Sequence, residues 1–215
     1  MCGRYCIDFD KDELSFVNNV VKFKFKTNFN VAPQNEAPCI INNNLVSAKW
    51  GYFPNWLKNQ SNPRPLFNTR YESLLEKKTF ISAFKNSRCL IPISGWYEWK
   101  EEDGIKQPYY FSDTSKALLF AAGLYWNRSN GDIETSIITR DAVASLKPIH
   151  SRSPLLLSKE MTKLWVSQTT RSEDIYSQIL DFTYKDIHFY KVDRAVNNPK
   201  NNNNSLIQKF EEVPF

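Results

Sequence analysis

Hydrophobic residues recur along this chain mostly at alternate positions and in short runs, the spacing that places every second side chain on one face of a strand. Residues 4–9 open the series. Tyr5, Ile7 and Phe9 share one parity and Cys2, Arg4, Cys6 and Asp8 the other, so Cys2 and Arg4 are predicted to share a face. Helical spacing takes over behind Asp10, an N-cap candidate, at Leu14, Val17 and Val21. It gives way to alternation in Lys22-Phe23-Lys24-Phe25-Lys26. Asn30-Val31-Ala32-Pro33 reads as a rigid turn, because proline fixes its own φ and restricts the residue before it. Residues 37–53 read as a hairpin around Asn42-Asn43-Asn44. After a loop with Pro63 and Pro65, residues 70–86 carry Leu74, Leu75, Ile81 and Phe84 among charges and predict a surface helix. Strand-like runs follow at 88–99, 108–112, 117–126 and 134–139, then a helix at 173–181 and a closing strand at 187–196. The order is α+β with strands predominating. Without repeats, and with only Asn201 to Asn204 as a low-complexity stretch, one β-rich domain over 1–215 with a few peripheral helices is expected.

Composition narrows the class. At 41% hydrophobic residues the chain can bury a core, and it has no apolar run near the roughly 20 residues of a membrane helix. Nor does it open on a secretory signal, so an intracellular, soluble, monomeric protein is expected. Four cysteines, Cys2, Cys6, Cys39 and Cys89, lack C-x-x-C spacing, which speaks against disulfides, a structural zinc or any other metal; no cofactor is called for. A net charge of +5 favours an acidic partner without identifying it.

Met1-Cys2-Gly3 holds the first chemistry. Methionine before a small residue is normally trimmed, which would leave Cys2 with a free α-amine beside its thiol. With ordinary values of about 7.7–8.0 and about 8.5, both nucleophiles are partly available near neutral pH. The amine can form a Schiff base with an aldehyde, and the thiol can then close a five-membered thiazolidine. Only two histidines exist, and His150, in a polar proline-flanked turn, is the better acid–base candidate than His188, which sits in an alternating strand. Glu98, within Gly95-Trp96-Tyr97-Glu98-Trp99, has aromatic neighbours that would desolvate and raise its carboxyl, although an exposed strand glutamate fits the pattern equally well. Asn68 and Arg70 would project to one side of an extended segment and suit a sugar and a phosphate; a helix cap is equally compatible with Asn68.

Taken in order, Met1-Cys2-Gly3-Arg4-Tyr5, Asn30-Val31-Ala32-Pro33, Trp50-Gly51, Phe67-Asn68-Thr69-Arg70-Tyr71-Glu72, Gly95-Trp96-Tyr97-Glu98-Trp99 and Ile149-His150-Ser151-Arg152-Ser153-Pro154 resemble the SRAP family over nearly the whole chain. The resemblance implies a DNA-damage protein that joins itself covalently to abasic sites in single-stranded DNA, through a thiazolidine on the N-terminal cysteine. It assigns Cys2 as nucleophile, His150 to ring opening and proton transfer, Glu98 to imine chemistry beside the Cys2 amine, and Asn68 to the opened sugar. Arg4, Arg70, Lys78 and Arg152 would contact phosphate or sugar in a positively charged groove. Pro33 and Trp50 would pack against flanking bases, and Asn30 and Thr139 are carried over as further DNA contacts. Ser153, where methionine is frequent, Thr139-Arg140-Asp141-Ala142 in place of an alanine-rich stretch, and Lys78 in place of arginine depart from the family without removing a reacting group. Two other readings of the residues stay open: a thiol peptidase, self-processing or not, using Cys2 and His150, and a noncovalent single-strand binder in which Cys2 is incidental. A lyase activity through the Schiff base is a further outcome of the same chemistry.

Overall fold

Asn42 and Asn43 take left-handed φ values of 47° and 60°, and Asp103 and Gly104 take 50° and 75°. Two consecutive residues of this kind form the tight turn whose twist suits a two-residue hairpin. They join strand β3 (Glu36–Ile41) to β4 (Asn44–Trp50) and β7 (Gly95–Glu102) to β8 (Ile105–Asp113). The computed structural model describes residues 2–17, 25–57 and 59–210. The remaining strands are β1 (Arg4–Ile7), β2 (Asn28–Val31), β5 (Asn68–Arg70), β6 (Arg88–Ile93), β9 (Leu119–Asn127), β10 (Ile133–Asp141), β11 (Arg152–Pro154), β12 (Leu156–Leu157) and β13 (Ile187–Lys191); the helices are α1 (Lys78–Asn86), α2 (Lys159–Trp165) and α3 (Ser172–Leu180).

One sheet runs β13-β8-β7-β1-β2. In the other, β10 pairs with β4, β4 with β3, β3 with β6, β6 with β9 and β9 back to β10, so five strands close into a small barrel. β10 also carries β5 in parallel and β11 antiparallel at its far end. Alternation divides the core. Cys39 and Ile41 of β3, Cys89, Ile91 and Ile93 of β6 and Ile137 of β10 pack with Tyr5, Ile7, Trp96 and Phe111 of the first sheet. Their neighbours Ile40, Leu90, Leu124 and Ile138 face outward against Phe84, Trp165, Ile175 and Ile179 of the three helices. The outer face of the first sheet, Cys6, Tyr97 and Tyr110, is covered by Val192, Val196 and Leu206 near the carboxyl end. The β-rich α+β expectation holds.

Several boundaries differ from those predicted. Residues 70–86 are not one helix: parallel pairing of Asn68–Arg70 with β10 keeps the chain extended, a 3₁₀ turn covers Tyr71–Ser73, and α1 starts at Lys78. Residues 88–99 are two strands, because the chain changes sheets at Ser94, whose N–H bonds Cys6 O. The closing strand stops at Lys191, and Arg194–Asn197 is a 3₁₀ turn. Behind Asp10 the described residues form a 3₁₀ turn, Lys11–Leu14, fixed by a capping box between Asp10 and Glu13. Val21 and positions 22–24 of the lysine–phenylalanine alternation lie outside the described residues. Helix α2, seven residues behind the Ser158 cap, is too short to show a period.

Arg88 joins α1 and α2 to the barrel. It is 2% exposed, and its guanidinium donates to the carbonyls of Phe84, Lys85, Trp165 and Ser167, the terminal acceptors of both helices. A cation there satisfies orphaned carbonyls and opposes the helix dipoles. Arg88→Met leaves four carbonyls, two of them in fully buried bonds, without their donor and is expected to lower the unfolding free energy by about 3 kcal/mol or more. Denaturant titration measures this, and a loss below about 1 kcal/mol would refute the role.

Candidate active site

Cys2, Asn68, Glu98 and His150 come from four segments and meet at one end of the space between the sheets. Cys2 precedes β1 and is fully buried; its carbonyl accepts a 2.7 Å bond from Asn68 Nδ2, and its Sγ lies 3.8 Å from Arg4 O. Asn68 is brought there by the register of β5, opposite Ile137 of β10. Glu98 lies on β7, 2% exposed, with its Oε2 3.9 Å from His150 Nε2. A narrow cleft lined by Trp96, Glu98, Phe111, Leu146, His150 and Arg152 surrounds this pair. His150 closes the turn between β10 and β11. Its Nδ1 lies 3.0 Å from the Arg152 backbone N and 3.1 Å from the Arg152 carbonyl oxygen, so the two peptide groups flanking one residue can serve it as donor and as acceptor.

The shared face predicted for Cys2 and Arg4 is not formed. Strand pairing starts at Arg4, and Cys2 instead joins the inter-sheet cluster with Tyr5 and Ile7. Arg4 lies on the other side, where its Nη1 donates to Asn30 Oδ1 at 3.1 Å and Val196 O at 2.9 Å.

Burial sets the protonation states. Desolvation, reinforced by the Glu98 charge, raises the Cys2 thiol well above its usual range. Burial also raises the Glu98 carboxyl from its ordinary 4.5 to about 7, and lowers His150. The site thus holds a neutral thiol, a carboxyl that exchanges its proton near neutrality and an imidazole that favours its neutral form.

The DNA contacts carried over from the resemblance separate into two groups. Arg70 and Lys78 are exposed and make no ion pair or hydrogen bond among the described residues, and Pro33 is half-buried at the tip of its turn. Trp50 does not present a face to a base: it is 1% exposed, packs at 4.8 Å against Tyr5 and at 5.7 Å against Phe67, and donates its Nε1–H to Phe67 O at 2.8 Å. Asn30 is likewise internal. At 1% exposure it donates to the carbonyls of Val196, Asn198 and Asn201, which fastens the carboxyl-terminal segment over the first sheet. Thr139 is fully buried, and its Oγ1 has no partner among the described residues, as is also true of Asn68 Oδ1 and Arg152 Nε.

Arg152 has four of its five N–H groups engaged: Nη1 with Glu72 at 2.8 Å and Asp141 at 2.7 Å, Nη2 with Glu72 at 2.9 Å and Thr139 O at 2.7 Å. Its charge is met by two carboxylates rather than offered to solvent. The sequence reading passed over Glu72 and Asp141 as functional residues. No local signal could have revealed the clamp, because Glu72 and Arg152 are 80 positions apart.

The Glu98 environment has a consequence for stability. A carboxyl whose folded value is raised contributes stability that is present below about 4.5 and lost as pH rises through about 7. Glu98→Gln removes that loss. Its unfolding free energy relative to the parent should rise by about 2–3 kcal/mol between pH 5 and pH 8. Thermal or denaturant unfolding across that range checks it, and a pH-independent difference would sink it.

Comparison with known proteins adds a family. The profile of the SOS response associated peptidase (SRAP) family matches residues 1–199. The abasic site processing protein YoqW of Bacillus subtilis is 32% identical over 222 residues, covering 97% of this chain and 99% of its own length. The abasic site processing protein YedK of Escherichia coli is 30% identical over 165 residues, covering 74% and 72%, and the abasic site processing protein HMCES of Xenopus tropicalis is 28% identical, covering 83% and 65%. The crystal structure of a protein from Bacteroides thetaiotaomicron shares the fold with a TM-score of 0.83 at 21% identity, over 98% of this chain and all of the other. The family profile, the relatives at 30% identity or more and the barrel-and-sheet fold agree: this chain belongs to the SRAP family.

Proposed function

We propose that this protein processes abasic sites in single-stranded DNA by forming a covalent thiazolidine between Cys2 and the ring-opened deoxyribose. The observation that carries the reading is the meeting of Cys2, Asn68, Glu98 and His150 at one site, with Cys2 and Glu98 buried, in a chain whose relatives are abasic site processing proteins. The amine must be free, so the competent form is the chain without Met1. The Cys2 α-amine then attacks the C1′ aldehyde; the carbinolamine loses water to give an iminium; the thiol adds to that carbon and passes its proton to a base. One aldehyde and one aminothiol become one thiazolidine and one water.

The protonation states suit that order. A thiol kept neutral by burial leaves the first attack to the amine, and a carboxyl at about 7 can give a proton to the departing hydroxyl and accept the thiol's afterwards. Asn68 Oδ1, without a partner among the described residues, is a polar atom for the opened sugar. Arg70 and Lys78 supply charge for the phosphates, worth more at low salt. A thiol peptidase fits less well. It needs its thiol activated by a histidine, whereas His150 Nε2 faces Glu98 and Cys2 Sγ lies against Arg4 O.

Intact mass spectrometry of the protein mixed with single-stranded DNA bearing an abasic site should show an adduct equal to both masses less one water, and none with undamaged DNA. Cys2→Ala should abolish it. Cys2→Ser, which keeps the amine, should give an adduct only after borohydride reduction. Full crosslinking by Cys2→Ala would overturn the proposal.

A further inference from the structure

The Arg152 cluster asks for a different explanation from phosphate binding. Its side chain is 12% exposed, while those of Glu72 and Asp141, which hold it, are 51% and 78% exposed. Two carboxylates around one guanidinium give a net negative group at the rim of the site, the wrong sign for attracting a phosphate. The fork-on-fork contact with Glu72 is the geometry that fixes a guanidinium in orientation as well as in place. It joins three pieces of chain: the 3₁₀ turn that follows Asn68's strand, the end of β10 at Thr139 and Asp141, and the start of β11. The backbone thus immobilised is that of Arg152, whose N and carbonyl oxygen, in the two peptide groups that flank its Cα, are both within 3.1 Å of His150 Nδ1.

We infer that Glu72, seconded by Asp141, is a positioning residue: by clamping the Arg152 side chain it holds the Arg152 backbone against His150 and aims Nε2 at Glu98. A fixed residue whose two flanking peptide groups offer a donor and an acceptor lets Nδ1 change role as Nε2 gains or loses a proton, without movement of the ring. Preorganisation of this kind places the supporting residue outside the reacting atoms while leaving the rate dependent on it. The kinetic part of the inference rests on the proposed abasic-site chemistry; the spectroscopic part does not.

The ring ¹⁵N resonances of His150 are the direct probe, since the chain has only two histidines and His188→Gln assigns the pair. In the parent protein the His150 nitrogens should depart from the free-imidazole pattern, and in Glu72→Gln they should move toward it. Adduct formation with abasic single-stranded DNA should slow about tenfold in Glu72→Gln, an effect of the size expected for lost orientation. Affinity for undamaged single-stranded DNA should stay within about twofold, because no phosphate ligand has been altered. Asp141→Asn, at the more exposed partner, should shift both readouts in the same direction by less, and it carries the test if circular dichroism shows that Glu72→Gln does not fold. Unchanged His150 resonances in both variants would overturn the inference. So would tighter binding of undamaged DNA by Glu72→Gln, which would mean that the carboxylate restrains a phosphate-binding arginine. A parent protein that forms no adduct would instead refute the proposed chemistry and leave the resonances to decide the clamp.

Discussion

Tyr5 and Trp50 meet edge to face at 4.8 Å across the gap between the two sheets, and much of the site's geometry depends on that contact. Trp50 is fixed on its own side by the bond from its indole N–H to Phe67 O, the residue before Asn68. Tyr5 is fixed by its register between Val31 and Trp96. The aromatic pair therefore sets the distance between the chain leading into β1 and the chain leading into β5. At that separation the Asn68 amide reaches the Cys2 carbonyl. A tryptophan that resembles a base-stacking residue in sequence acts here through packing, where a large rigid ring gives more than its buried area through preferred geometry.

The charges follow a related logic. The chain carries a formal +5, yet the side-chain charge that bears on the Cys2 thiol is the carboxylate of Glu98. Glu98 lies beneath it, and the one arginine adjacent to His150 is neutralised by Glu72 and Asp141. Free cations sit farther out, at Arg70 and Lys78. That separation keeps the exposed positive charge away from the buried carboxyl of Glu98. A guanidinium beside Glu98 would lower its carboxyl and remove its capacity to exchange a proton near neutrality.

Much of the scaffold was legible because its signals are local. Asn42-Asn43 marks a hairpin by conformational preference alone, and the alternation in β6 to β10 follows from strands with two different faces to satisfy. What escaped was non-local. Nothing in residues 133–141 announces that one strand will meet β9 and β11 on one side and β4 and β5 on the other, and that pairing closes the barrel and straightens residues 68–70. Cys2, Asn68, Glu98 and His150 were named from their motifs, and the fold brings them together. Asn30, Trp50 and Thr139 were named from motifs as DNA contacts but lie buried, because a motif does not record which way a side chain points.

The fastening of Asn30 to Val196, Asn198 and Asn201 also orders events in time. Strand β1 is among the first segments made, but its outer cover is among the last, and Arg4 finds its Val196 acceptor only when nearly two hundred residues have followed it. Until then the first sheet lacks one of its two faces. The side chains of that uncovered face, Cys6, Tyr97 and Tyr110, accordingly stay open to water until the segment around Val196 and Leu206 has been made, so the fold is completed from its carboxyl end.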